Sequence, residues 1–171
     1  MSHPDHHHEL PVDPDLSDDS TAAASLASPE RTARTVRARA TDLVAVFLGG
    51  AIGSTLRAGI GLVIPSVAGI PVATWTVNVV GAFLLGWLLE ALARRGPDRG
   101  RRRTVRLAVG TGGLGGFTTY SALATDSAGL LATGLTGPAL AYAVATVLVG
   151  AAASIAGIAV GARKSRTEVR P

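Results

Sequence analysis

The feature that most constrains the fold is a set of four long apolar stretches separated by short loops. They cover residues 43–64, 70–93, 105–135 and 138–162. A bilayer core of about 30 Å requires about 20 apolar residues in a helix, so each stretch is long enough to cross a membrane. A soluble helical bundle would need polar faces at the helical period, which these stretches lack. The sequence therefore predicts an all-α membrane protein with four transmembrane helices.

The regions outside the apolar stretches are polar, and they hold most of the charged residues, which make up 16% of the chain. Residues 1–40 are rich in Asp, Ser and Pro, which predicts a disordered tail. The His cluster at 6–8 is interpreted as solvated rather than metal-binding, because the chain has no Cys and no spaced acidic partners there. The membrane domain is assigned to residues 41–163, and a basic tail to 164–171.

The basic residues indicate the orientation in the membrane. Fifteen of the 16 Lys and Arg lie before the first stretch, between the second and third (with Arg106 just inside the third), or after the fourth, and the exception is Arg57. Loops rich in Lys and Arg stay in the cytoplasm. We therefore predict a multi-pass protein of the cell membrane with both termini in the cytoplasm. The Arg-rich loop has no aromatic residue beside it, so we predict no nucleic-acid partner.

The third stretch carries signs of an internal break. It is 31 residues long, and five glycines lie between Gly110 and Gly116. Each Gly disfavours a helix by about 1 kcal/mol relative to Ala. Two half-helices that meet at a non-helical break in mid-membrane explain both the length and the composition. A bilayer tolerates such a break only where it is buried in protein or lines a cavity, and Thr118, Thr119 and Ser121 follow it, so we favour a functional break.

Glycines spaced four residues apart offer a second interpretation, because this spacing lets membrane helices approach closely. Three pairs have it: Gly49 with Gly53, Gly112 with Gly116, and Gly157 with Gly161. We favour helix packing for the first and third pairs. For the second pair, which lies in the glycine-rich run, we favour the functional break.

Three of the polar side chains inside the apolar stretches are candidates for a function. Asn78 is near the middle of the second stretch, and a buried amide is costly unless it is hydrogen-bonded. It therefore either ties helices together or lines a pathway. Arg57 and Asp126 are the ionisable residues furthest inside, which makes both of them functional candidates. They could lie at one depth and form a structural ion pair, which is an equally good interpretation.

Three segments together are recognisable. Residues 49–57 read GGAIGSTLR, residues 76–78 read TVN and are followed by Gly81 and Gly86, and residues 115–121 read GGFTTYS. In this order on four apolar stretches, they resemble the signature segments of the Fluc (CrcB) fluoride channel family. The resemblance extends over the whole predicted membrane part of the chain.

The resemblance implies an antiparallel dimer of four-helix subunits, with two narrow pores through which cytoplasmic fluoride leaves the cell passively. Such a channel lowers fluoride toxicity and is not an enzyme. The resemblance also implies a structural sodium ion held by the backbone carbonyls of Gly115 and Thr118. The residues that it assigns to the fluoride pore are Asn78, Tyr120, Ser121, Leu123, Tyr142 and Thr146.

Two departures from the family pattern point to a partner subunit. The family places two phenylalanines three residues apart after the Thr pair, where this chain has Tyr120 and Leu123, and Leu has no polarised ring edge. The one-sided Arg distribution also disfavours insertion in both orientations, which an antiparallel homodimer needs. We therefore expect a heterodimer with an oppositely oriented homologue, with a homodimer as the alternative. A small multidrug-type transporter or a non-conducting structural subunit are the alternative functions.

Overall fold

The structure is a computed structural model that describes residues 29–164. Residues 1–28 and 165–171 lie outside the described residues, so the predicted disorder and the His cluster of the first segment, and the basic tail, stay predictions. The chain divides into two units, Met1–Ala40 and Thr41–Pro171. The packing and contacts below belong to the second unit.

The described residues are helical almost throughout. The elements are α1 (Pro29–Val63), α2 (Val72–Ala93), α3 (Arg101–Val105), a π-helical segment (Arg106–Leu114), α4 (Gly115–Phe117), α5 (Tyr120–Ala132) and α6 (Thr136–Lys164). No strand longer than a single bridge occurs in this part of the chain; that bridge joins Val67 and Ile70 in the turn after α1. The predicted all-α class is confirmed.

Helix α1 begins earlier than the sequence analysis placed it. Residues 29–40, which were assigned to the polar tail, are helical in the structure. The local sequence explains the difference: Pro29 stands at the first helical position, where its missing N–H costs nothing, and Ala and Arg are strong helix formers. Helix propensity extends the helix beyond the apolar stretch. The hydropathy pattern detects only the apolar stretch, so it misses this extension.

Three helices in the described residues are long and apolar enough to cross a membrane. They are Arg39–Val63, Val72–Ala93 and Thr136–Arg163, and they coincide with the first, second and fourth predicted stretches. Many of their large apolar side chains are exposed, including Phe47 at 74% and Leu62 at 90%. A soluble monomer rarely exposes apolar surface on this scale, so these faces are suited to lipid or to another subunit. The third stretch is divided into the shorter elements from α3 to α5.

The glycine pairs lie where helices approach most closely. A β-carbon on Gly49 would overlap the carbonyl of Ala108, and one on Gly53 would overlap the carbonyl of Gly113. On the other side of the protein, a β-carbon on Gly157 would overlap the carbonyl of Phe83 in α2. Side chains at these positions would push the backbones apart. The packing interpretation of these two pairs is therefore confirmed.

Helices α5 and α6 form a tight antiparallel hairpin. Gly134 has a φ of +80°, a conformation that Gly adopts without strain. The amide of Leu135 donates to the carbonyl of Leu130 at 3.0 Å, and that of Gly134 to Leu131 at 3.0 Å, which is the Schellman pattern of a helix end. The small buried cluster of Leu123, Leu130, Ala139 and Tyr142 lies between the two helices.

Candidate functional site: the interruption at Thr118 and Thr119

The helical path after the glycine-rich run is interrupted at two threonines. Helix α4 ends at Phe117 and α5 begins at Tyr120. Thr118 (φ −79°, ψ 158°) and Thr119 (φ −152°, ψ 119°) are extended. The five glycines of the run lie in the π-helical segment and α4, so the glycines do not themselves form the interruption. Their helical backbone is explained by packing: β-carbons on Gly112 and Gly116 would overlap the carbonyls of Val46 and Gly50 in α1.

Asn78 of α2 holds the interruption through both of its polar atoms. Its Nδ2 donates to the carbonyl oxygen of Thr119 at 3.0 Å, and the amide of Thr119 donates to its Oδ1 at 2.7 Å. An extended residue between two helices has no helical partner for its N–H, and Asn78 supplies one. Of the two interpretations left open by the sequence, the structure supports the one in which Asn78 ties helices together.

The two threonines have separate tasks at the interruption. The amide and Oγ1 of Thr118 both donate to the Leu114 carbonyl at 3.0 Å, which closes α4. Thr119 begins α5 as its N-cap, since its Oγ1 accepts from the amide of Ala122 at 3.1 Å and lies 3.1 Å from Ser121 Oγ. An N-cap hydroxyl satisfies one of the amides that the first helical turn leaves unpaired.

The predicted sodium ligands lie just before the interruption and within it. Gly115 is exposed in α4, and no atom lies within 4 Å of the place where its β-carbon would be. Thr118 is half-buried and extended. Of the two, only Thr118 has its backbone carbonyl at an unwound position, which is the ligand type that membrane proteins use for sodium. No group of three or more His, Asp or Glu in the described residues could hold a metal.

Asp126 does not pair with Arg57 in the structure. Its Oδ2 accepts a hydrogen bond from the Tyr142 hydroxyl at 3.3 Å. No ion pair among the described residues includes Arg57, which is half-buried on α1. The hypothesis of a structural ion pair between these two charges is therefore wrong for the single chain. A neutral phenol, rather than a cation, is the partner of the carboxylate.

The residues assigned to the pore fall into two groups. Tyr142 and Thr146 are 5% and 4% exposed, and Thr146 Oγ1 donates to the Tyr142 carbonyl at 2.7 Å within α6. Tyr120 and Ser121, in contrast, point outward, with Tyr120 81% exposed. Leu123 is buried, yet one side of it reaches the same surface as Tyr120.

A groove between α5 and α6 connects Tyr120 with Leu123. It has a volume of about 420 Å³, and its lining is mostly apolar. Ser127 contributes a hydroxyl, although that hydroxyl donates to the Leu123 carbonyl at 2.7 Å. Tyr120 therefore supplies the one ring edge in this groove, and the position of Leu123 supplies none.

Comparison with known proteins places these residues in a family. The family described as CrcB-like protein, Camphor Resistance (CrcB), matches residues 44–158. The chain belongs to the CrcB-like family. The match spans α2, the interruption and most of α6, so it includes every residue assigned to the pore or to sodium. The recognition made from the three signature segments is confirmed.

Three relatives of this CrcB-like chain illustrate the similarity. The fluoride-specific ion channel FluC 2 of Leifsonia xyli subsp. xyli is 57% identical over 121 residues, which is 71% of this chain and 83% of that protein. The fluoride-specific ion channel FluC of Deinococcus radiodurans is 47% identical over 121 residues, 68% of this chain and 91% of that protein. FluC of Caulobacter vibrioides is 43% identical over 124 residues, 71% and 95% of the two chains.

The sequence analysis missed the capping role of Thr119 in this CrcB-like chain. The signal was present: a Thr immediately before a helical run is a common helix start. The threonines and Ser121 were instead interpreted as support for a functional break among the glycines. The structure uses two of these hydroxyls, those of Thr118 and Thr119, within the turn itself.

Proposed function

We propose that this chain is a subunit of a fluoride-specific ion channel through which cytoplasmic fluoride leaves the cell down its gradient. Its CrcB-like sequence over residues 44–158 carries the proposal, together with relatives named fluoride-specific ion channels. The interruption held by Asn78 fits this function, because non-helical backbone in a bilayer is tolerated only in a protein interior or beside a cavity. A channel lowers fluoride toxicity without catalysing a reaction.

We further propose that residues 105–135 cross the membrane as the third of four spans, broken at Thr118 and Thr119. A length of 31 residues is ample for two half-helices in a core of about 30 Å. The second subunit of the dimer packs antiparallel to the first. The exposed apolar side chains of α1 and α6 support this arrangement, because such a surface is suited to contact with lipid or with a second subunit.

In the proposed pore, fluoride meets donors in place of its hydration shell. Hydroxyls, amide N–H groups and the positive edges of aromatic rings are the available groups. The groove between α5 and α6 offers the exposed Tyr120, and Ser121 is the next residue along the chain and also exposed. Asn78, Tyr142 and Thr146 have their polar atoms engaged inside the subunit, so we assign them to positioning the wall.

The sodium ion belongs to this proposal as a structural element. Gly115 and Thr118 would hold it through backbone carbonyls, whose dipoles a bound cation would neutralise. Because one chain offers two such carbonyls, the remaining ligands would come from the second subunit. Sodium removal is then expected to weaken the dimer rather than the single subunit.

We propose a heterodimer as the working assembly, in which an oppositely oriented homologue supplies the ring edge that Leu123 lacks. The Arg distribution supports a single orientation with both termini in the cytoplasm of the cell membrane. A reporter fused after Pro171 should therefore give signal from the cytoplasmic side alone. Substantial signal from both sides would overturn the fixed orientation and favour a homodimer.

Fluoride efflux from vesicles tests the channel itself. Detergent extraction removes the bilayer that fixes the orientation, so the purified chain can pair antiparallel, before reconstitution, with a copy in which Leu123→Phe supplies the missing ring edge. We expect fluoride efflux, measured with a fluoride electrode, and no efflux of chloride from the same vesicles. Equal efflux of both ions would contradict fluoride specificity.

Cell growth separates the channel hypothesis from the heterodimer hypothesis. In a fluoride-sensitive strain, the chain alone should give little rescue, whereas co-expression with a copy designed for the opposite orientation should restore growth. Such a copy lacks the loop arginines at 94–106, carries new ones in the 65–69 loop, and has Leu123→Phe, which supplies the missing ring edge. Full rescue by the chain alone would remove the need for a partner. Failure in both cells and vesicles would instead favour a non-conducting structural subunit.

A further inference from the structure

The arginines that follow α2 fall into two groups by their ion pairs. There are seven of them in residues 94–106, which include the loop, α3 and the start of the π-helical segment: Arg94, Arg95, Arg99, Arg101, Arg102, Arg103 and Arg106. Three of these have carboxylate partners: Arg94 pairs with Glu90, Arg103 with Asp42 at 2.6 Å, and Arg106 with Asp98 at 2.7 Å. The other four have no ion pair with any of the described residues.

The four unpaired arginines line one cavity. It has a volume of about 560 Å³, and Leu92 and Val105 form its apolar part. Four guanidinium groups without a carboxylate repel one another, and an anion in the cavity would relieve that repulsion. The arrangement differs from a solvated charged surface, because the two nearby carboxylates, Glu90 near the end of α2 and Asp98 after it, are both paired with other arginines.

One of the arginines that line this cavity has an atom with an unmet hydrogen bond. The Nη1 of Arg102 is buried and has no partner among the described residues. The turn at Gly96, with a φ of +106°, brings the backbone over it: a β-carbon on Gly96 would lie 2.7 Å from that nitrogen. A buried donor without an acceptor costs free energy, so the cavity favours a ligand with acceptor oxygens.

We propose that this cavity binds the phosphate of an anionic phospholipid, with the acyl chains beside Leu92 and Val105. Arginine forks match the oxygens of a phosphate, and the apolar residues suit a ligand with hydrocarbon attached. The position is also appropriate, since the loop follows directly on the end of the membrane-capable helix Val72–Ala93. Clusters of basic residues at such helix ends attract anionic lipids.

The paired arginines hold the loop in place for this ligand. Both Nε and Nη2 of Arg103 donate to Asp42 Oδ2, which connects the loop to α1. The hydrogen bond and the charge of Asp42 also raise the pKa of Arg103 above its usual value. Arg106 connects α3 and the π-helical segment to Asp98 in the same way. The site is separate from the proposed pore and does not depend on it.

Native mass spectrometry of the full chain tests this proposal. The chain is titrated with phosphatidylglycerol, and with phosphatidylcholine of the same acyl chains. We expect phosphatidylglycerol to bind about tenfold more tightly, and the variant with Gln at positions 95, 99, 101 and 102 to lose most of that preference. The matched control has Gln in place of the four basic residues Arg163, Lys164, Arg166 and Arg170, which removes the same charge. It should keep the preference within about twofold.

Three outcomes would overturn the proposal. Equal losses in the cavity variant and in the tail control would show general attraction between a basic protein and an acidic lipid. Displacement of the lipid by millimolar inorganic phosphate would identify a soluble anion as the ligand. A variant with Lys at the same four positions covers the case in which the Gln variant does not fold. It keeps the charge but loses the fork, so it should bind several-fold more weakly, and unchanged binding would contradict the site.

Discussion

The two halves of the GTGGLGGFTTYS run are held in position by different kinds of contact. The glycine half packs its backbone against α1, where β-carbons at Gly112 and Gly116 would overlap carbonyls. The threonine half is held by hydrogen bonds, chiefly the pair between Asn78 and Thr119. Only one side-chain hydrogen bond reaches the glycine half from α1 within the described residues, from Ser54 to the Gly116 carbonyl at 3.4 Å.

The difference shows how a helix can be interrupted without becoming loose. Close backbone packing depends on shape, and it fixes the position of the helix up to Phe117. Hydrogen bonds depend on direction, and they fix where the chain leaves the helical path. If this description is right, glycine substitutions should disrupt the whole fold, whereas polar substitutions should act locally at the turn.

The largest effect is expected from Gly53→Val. A side chain at this position would overlap backbone atoms of Gly113 and Phe117, which cannot rotate away as a side chain can. We expect destabilisation of about 3 kcal/mol, the upper part of the range for overpacked sites. Thermal unfolding of the purified chain in detergent measures it. Gly59→Val is the matched control on the same helix, since no atom lies within 4 Å of its β-carbon position; equal loss in both variants would contradict the packing account.

The next largest effect is expected from Asn78→Ala. This change removes two hydrogen bonds and leaves the Thr119 amide without its partner, so we expect a loss of about 2 kcal/mol. Hydrogen exchange at the amides of residues 118–122 should accelerate more than exchange elsewhere. Thr76→Val, two residues earlier on α2, removes a hydroxyl that contacts only its own helix, and it should leave this exchange unchanged. A uniform acceleration in the Asn78 variant would show global rather than local loss.

The sequence predicted much of the fold because bilayer thickness sets helix length. Three of the predicted spans are long apolar helices in the structure, and the Gly49 and Gly157 pairs pack as their spacing predicts. It could not predict that Asn78 contacts Thr119. The two residues are 41 positions apart, and their meeting depends on how α2 packs against the interruption. For the same reason, the sequence offered Arg57 only as one possible partner of Asp126, whereas the structure provides Tyr142.

The composition of the run also misdirected one interpretation. Glycine disfavours a helix in water, so the sequence placed the break among the glycines. In the structure they remain helical, because the contact with α1 requires the absence of side chains there. The interruption falls instead at two β-branched residues, which suit an extended backbone. Which force wins depends on the neighbouring helix, and a sequence without its tertiary contacts does not contain that information.

A smaller effect is expected from Thr119→Ala. This change removes the N-cap of α5 but leaves the backbone hydrogen bonds to Asn78 in place. Loss of an N-cap typically costs about 1 kcal/mol, so the variant should unfold at a slightly lower temperature than the wild type. Thr119→Ser keeps the hydroxyl and should retain most of the stability. If both variants lost the same amount, the methyl group rather than the cap would be responsible.

The smallest effect is expected from Tyr142→Phe, and it tests whether the polar contact beyond the interruption matters to the fold. The hydroxyl of Tyr142 donates to Asp126 over a long 3.3 Å, and Phe would keep the ring in the cluster with Leu123. We expect a loss of about 0.5 to 1 kcal/mol, measured by thermal unfolding. Tyr120→Phe is the control, because that ring is 81% exposed and should leave stability unchanged. A large loss from Tyr142→Phe would show that the hydrogen bond between Tyr142 of α6 and Asp126 of α5 also stabilises the fold. Hydrogen bonds would then fix the position of α6 as well as that of the turn.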